Sequence, residues 1–111
     1  MALPHTLPGQ VVDLLPNNGA ALPTEGSYAL FKSAQLELIR LALPAGKRFP
    51  SHAVAGEITV QCLSGAIAFE LDGRELSLRA GQLLHLEGGV PHALRGVEDA
   101  TALLTIVLRA G

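Results

Sequence analysis

Gly81-Gln-Leu-Leu-His85-Leu-Glu87-Gly88-Gly89-Val-Pro91-His92-Ala-Leu-Arg-Gly96 is the stretch on which the reading of this chain turns. Ala80-Gly81 and Glu87-Gly88-Gly89 are turn signals, and the apolar run between them is too short for a helix. Residues 83–86 and 91–94 therefore read as two short strands joined by a glycine turn. A histidine lies in each, His85 among leucines and His92 just after Pro91.

Working outward, residues 46–65 carry a second run of the same kind. Gly46 is followed by five residues and then His52, Val54, a strand-like segment at 57–63 and a closing Ser64-Gly65. Between the two stretches, residues 66–71 and 75–78 flank Asp72-Gly73, a pair that favours positive φ at both turn positions and so a tight hairpin. Residues 28–32, 36–41 and 101–108 complete a set of about eight strands spaced as in a sandwich or barrel. A helix over 34–42 is the alternative there, but it would be short and run into Pro44.

Residues 1–26 read as an extended segment, because Pro4, Pro8, Pro16 and Pro23, with Asn17-Asn18-Gly19, forbid a long helix. Residues 11–15 are its candidate edge strand, and His5 reads as solvated. Residues 27–111 form the barrel. The fold class expected is all-β in a single domain.

Composition narrows function. The chain has 111 residues, a net charge of −2, 4% aromatic residues and no tryptophan. That leaves no basic surface with stacking platforms for nucleic acid. No apolar run approaches the length of a membrane span, and the start lacks the pattern of a signal peptide, so the chain reads as soluble and cytoplasmic. Cys62 has no partner for an internal disulfide, agrees with a reducing compartment, and reads as a small buried hydrophobe. Leu83, Leu84 and Leu86 make one strand apolar on both faces, which points to a second buried surface and a homodimer.

The two glycine-bounded stretches resemble the motifs of the cupin family. The family's first motif is a glycine, five residues, His-x-His, three or four residues, Glu, six residues and a glycine. Its second is a glycine, five residues, Pro-x-Gly, two residues, His, three residues and Asn. Gly81, Gly89 and His92 keep the second register, with Glu87 in place of the proline and Gly96 in place of the asparagine. Gly46, His52 and Gly65 keep the ends of the first, with Val54 at the second histidine position. The resemblance implies a jelly-roll barrel and a divalent transition metal (Fe, Mn, Ni, Zn or Cu) held by histidines and a glutamate.

His52 and His92 are the candidate ligands retained, and His85 and Glu57 are the candidates to complete the set. Counting back from Gly65 puts Ile58 at the glutamate position and Glu57 one residue early. In that register Ile58, Val60 and Cys62 face in, while Glu57, Thr59 and Gln61 face out. A shorter loop or a bulge would reverse this, bringing Glu57 and Gln61 to the pocket. Val54, Ile58 and Gln61 are the candidate pocket wall. Arg48, Arg74, Arg79 and Arg95 read as surface residues, with Arg95 also a candidate for the pocket rim.

The resemblance implies a metal-dependent oxygenase, isomerase, decarboxylase or lyase acting on a small organic molecule. The alternative is a cupin that binds or senses a small molecule without metal, since Val54 and Ile58 make the pocket apolar. A stable barrel with a vestigial pocket is the third reading.

Overall fold

A computed structural model describes residues 6–16 and 21–108. His5 and the Asn17-Asn18-Gly19 turn lie outside the described residues. Among the described residues there is no helix, and so none long and apolar enough to cross a membrane. Nine strands form two antiparallel sheets: β1 Gly26–Lys32, β2 Leu36–Leu43, β3 Arg48–His52, β4 Ile58–Ser64, β5 Ala66–Leu71, β6 Arg74–Arg79, β7 Leu83–Leu86, β8 His92–Gly96 and β9 Ala100–Val107.

The sheet orders are β1-β2-β9-β4-β7 and β3-β8-β5-β6. Strands distant in sequence become neighbours in both sheets, β9 between β2 and β4 and β8 between β3 and β5. That interleaving of two packed sheets is jelly-roll architecture. Segment 34–42, the one place where a helix competed, lies largely in β2, which pairs residue for residue with β9 from Leu36↔Val107 to Leu43↔Ala100. Pairing on both sides fixes β2 as a strand, where local propensity alone was ambiguous.

Nine strands were found where about eight were expected, and the additional one is β3. It contains Pro50, which removes a ladder donor and masks a strand in the sequence. The structure accommodates it at a sheet edge, with β8 as the strand's sole partner. Residues 11–15, expected as an edge strand, carry no strand in the structure. That segment lies against the first sheet through single bonds, such as Arg40 Nε–H to Leu14 O at 2.9 Å. A regular ladder would have to compete with Pro8 and Pro16 on either side of it.

The core follows from period-two alternation. Leu41 and Leu43 of β2, Ile58, Val60 and Cys62 of β4, Ile67 and Phe69 of β5, Leu94 of β8 and Ala102 and Ile106 of β9 meet between the sheets. Phe69, Leu43, Ile67, Val60 and Cys62 are its largest fully buried side chains. Burial raises the Cys62 thiol pKa and is the largest cause of its shift, so Cys62 stays a protonated core residue, its Sγ donating to Ser64 O at 3.4 Å.

Two turns set the register of everything downstream. Asp72 and Gly73 both have positive φ, 46° and 72°, as the tight hairpin between β5 and β6 requires. Gly65, with φ of 73°, is the only residue between β4 and β5, and a Cβ there would lie 2.1 Å from the carbonyl oxygen of Asp99. Gly81 has φ of 89° but open space around it. Gly81→Ala should therefore cost about 1 kcal/mol, the left-handed backbone penalty alone. Gly65→Ala should cost at least about twice that, because backbone must also move. Urea denaturation of the two variants checks the order, and equal losses would contradict the contact at Asp99.

Candidate functional site

The site begins with an irregularity in β3. Phe49 pairs with Leu94, and His52 pairs with His92, so three residue steps on β3 match two on β8. One extra residue is thus inserted around Pro50-Ser51, a β-bulge. In an unbulged strand Ser51 would share the inward face of Phe49, and His52 would face out. The bulge brings His52 directly opposite His92, with ring centroids 4.6 Å apart and tilted by 54°.

His92 is held by two contacts. It is 3% exposed, its ring stacks on Phe69 at 5.5 Å and 17°, and its Nδ1 lies 3.0 Å from the carbonyl oxygen of Val90. A carbonyl oxygen only accepts, so Nδ1 carries the proton and donates it. His52, on the exposed rim, repeats the arrangement with Nδ1 3.3 Å from Pro50 O. In both neutral rings Nε2 is then the lone-pair nitrogen. Neither Nε2 is bonded among the described residues, where no fully buried side-chain nitrogen lacks a partner. Both rings border open space.

That space is a cavity of about 460 Å³ between the sheets, lined by both histidines, Ser51 and Val54 and by apolar side chains that include Phe49, Val60, Leu94 and Leu104. Its mouth is tied by a backbone bond from Gly89 N–H to Val54 O at 2.7 Å, joining the loop after β3 to the loop before β8. The result is an apolar chamber with two imidazole acceptors at one wall.

The remaining candidate residues are distributed as follows. Val54 lines the cavity. Ile58 faces inward but is packed into the core, 2% exposed, and does not line the cavity. Gln61 stands on the outer face of β4, paired with Leu83 of β7. Glu57 and His85 are also outside: Glu57 Oε1 lies 2.8 Å from His85 Nε2, with side chains 61% and 54% exposed. They complete each other rather than His52 and His92. The physical reason is register, because Ile58, Val60 and Cys62 are buried and their neighbours must face the other way. Arg95 pairs with Glu75 at 3.2 Å, away from the pocket rim, and Arg48 pairs with Glu70 at 3.2 Å.

Among the described residues no three His, Cys, Asp or Glu side chains come together. The donor set at the cavity is two imidazole nitrogens among aliphatic walls, short of the three or four protein ligands that hold a transition metal. The residues present do not fit the family's metal centre. Sequence reasoning missed the aliphatic wall from β2 and β9, Ile39, Leu41, Leu104 and Ile106, because single alternating positions do not say which part of an inner face fills the core and which borders a void.

Comparison with known proteins agrees with this architecture. A conserved protein of unknown function from Streptococcus pyogenes superposes over 100% of this chain and 97% of its own, at TM-score 0.77 and 24% identity. A cupin superfamily protein from Desulfitobacterium hafniense covers 90% of this chain and 100% of its own, at TM-score 0.73 and 16% identity. An RmlC-like cupin from Desulfovibrio desulfuricans covers 84% and 96%, at TM-score 0.73 and 22% identity. At these identities the likeness is one of fold. No curated protein matches the sequence. The family model described as Cupin domain matches residues 39–108, most of the chain and all of both glycine-bounded stretches, and the protein is a member of the cupin family.

Proposed function

We propose that this cupin binds a compact, mainly apolar organic molecule that presents an O–H or N–H group to His52 and His92. The observation that carries the reading is the pair of histidines, each with an unengaged Nε2, on the wall of a mainly apolar cavity of about 460 Å³. An apolar chamber supplies affinity by burial, and a few placed polar groups supply orientation. Two acceptors side by side match a phenol, an enol or a hydroxylated heterocycle. The same nitrogens can accept a proton from such a ligand, which makes His92, rigidly held by Phe69 and Val90, the better general base of the two.

Matched probes test this. With chelator present throughout, 4-methylphenol should raise the melting temperature and bind more tightly than toluene. The difference should be up to about tenfold, the worth of one hydrogen bond in a dry site. His92→Phe and His52→Ala should each reduce that difference while leaving toluene binding in place. Equal binding of the two probes, or binding lost on chelation, would overturn the reading.

The metal-dependent reading has one supporting observation: each histidine donates Nδ1–H to a backbone carbonyl, the orientation metal-bound histidines use. What it lacks is a third donor. Val54 stands on the cavity wall with both histidines, so Val54→His should increase Zn²⁺ or Ni²⁺ affinity at least about tenfold by raising the donor count from two to three. Competition against a colorimetric chelator measures it. A wild-type protein that already binds as tightly as the variant would favour the enzyme.

The proposal extends to a cytoplasmic homodimer. Leu83 is 61% exposed on the outer face of β7, half-buried Leu103 of β9 lies across Gln61 from it, and Leu7 and Val11 are exposed in the N-terminal segment. Sedimentation should give twice the mass of one chain, and Leu83→Glu should shift it towards the monomer. A wild-type monomer at micromolar concentration would remove the dimer from the proposal.

A further inference from the structure

Among the described residues Arg40 is the only arginine, lysine or carboxylate side chain that is buried, at 2% exposure. It projects from the face of β2 opposite the barrel cavity. Ile39 and Leu41 line that cavity, while Arg40 and Ala42, between and beyond them in the alternation, line another. Its Nε–H donates to Leu14 O at 2.9 Å and its Nη1–H to Pro23 O at 2.7 Å. These bonds hold the N-terminal segment against the first sheet.

They do not balance its charge. Four ion pairs occur among the described residues, and Arg40 belongs to none of them. A guanidinium out of water with neutral carbonyls alone is short of a counter-ion. Burial lowers its pKa from the ordinary value, with Tyr28 acting in the opposite direction. Its second terminal nitrogen, Nη2, makes no hydrogen bond among the described residues, yet no fully buried side-chain nitrogen there lacks a partner. The Arg40 side chain borders open space.

That space is a cavity of about 430 Å³ between the N-terminal segment and the outer face of the first sheet. Arg40, Thr24, Ser64 and Thr101 supply its donors, Leu22 supplies apolar wall, and Asp99 supplies a carboxylate. Asp99 Oδ1 accepts a bond from Ala45 N–H, so that carboxylate is engaged elsewhere. We propose that this cavity is a binding site for a small carboxylate with a short apolar body, its oxygen taking Nη2 of Arg40 and the hydroxyls beside it. One open guanidinium nitrogen suits a monoanion. Asp99 on the same wall repels a second negative charge, so inorganic phosphate is disfavoured. The bound carboxylate supplies the counter-ion that Arg40 lacks and fastens the segment Arg40 holds.

Titration of the full chain with sodium propionate, and separately with inorganic phosphate, at constant ionic strength tests the site. Nitrogen-15 spectra of the amides and of the Arg40 Nε–H report it. The expected result is saturable propionate shifts at Thr24, Ser64, Thr101 and Arg40 Nε–H, with phosphate about tenfold weaker. Arg40→Met should abolish the shifts. Thr101→Val, which leaves the bonds of Arg40 to Leu14 and Pro23 untouched, should weaken propionate about threefold. His92→Leu, in the barrel cavity, should leave the titration unchanged. Shifts that stay linear to about 100 mM, phosphate binding as tightly as propionate, loss in His92→Leu, or wild-type affinity in both Arg40→Met and Thr101→Val would each overturn the proposal.

Discussion

One extra residue in β3 carries the site. Strand geometry sends alternate side chains to opposite faces, so without the bulge between Phe49 and His52 the two histidines of the cavity would face apart. Pro50 sits where this insertion occurs, on an edge strand, the setting in which a missing ladder donor is tolerated. The pairing of His52 with His92 sets the two rings against each other, and the carbonyls of Pro50 and Val90 each take the Nδ1–H of one ring.

The same rule of alternation, applied to β4 without a bulge at that end, sends Glu57 outward. Its partner His85 lies on the neighbouring strand β7, next to Thr59 in the ladder, and the two side chains meet in solvent. An exposed pair of this kind contributes little to stability. Its significance is negative: it removes the two residues that could have completed a metal set. The barrel cavity is left with two nitrogen bases and aliphatic walls, chemistry for holding an organic ligand by burial and orienting it by hydrogen bonds.

On the other side of β2 the polarity is inverted. There a buried guanidinium organises the surroundings, and the N-terminal segment is bent over it to deliver two carbonyl oxygens. Strand β2 thus separates two chambers of opposite character, one apolar with two bases and one with a cation and hydroxyls. The N-terminal segment has no ladder of its own among the described residues. Its attachment to the barrel depends on single contacts such as those of Arg40 and Leu30, which makes its position sensitive to what occupies the chamber beneath it.

Much of the fold was legible in the residues because strands and turns are written locally. Alternating apolar positions, Asp72-Gly73, Gly65 and Gly81 announce where the chain extends and where it reverses, and two glycine-bounded stretches carry enough spacing to resemble a family. The same spacing singled out His52, His92 and Val54, which line one cavity in the structure. What the sequence could not decide was anything that depends on counting through a partner strand. The bulge in β3 exists only against β8, and the outward face of Glu57 and His85 only once β4 and β7 pair and the core fills. The burial of Arg40, a residue that reads as one more polar position in an alternating strand, exists only once a proline-rich segment far from it in sequence folds back across the sheet. Sequence periodicity determines that side chains alternate; only the tertiary structure determines which phase of the alternation faces inward, because that phase is set by the fit of each strand to its neighbours.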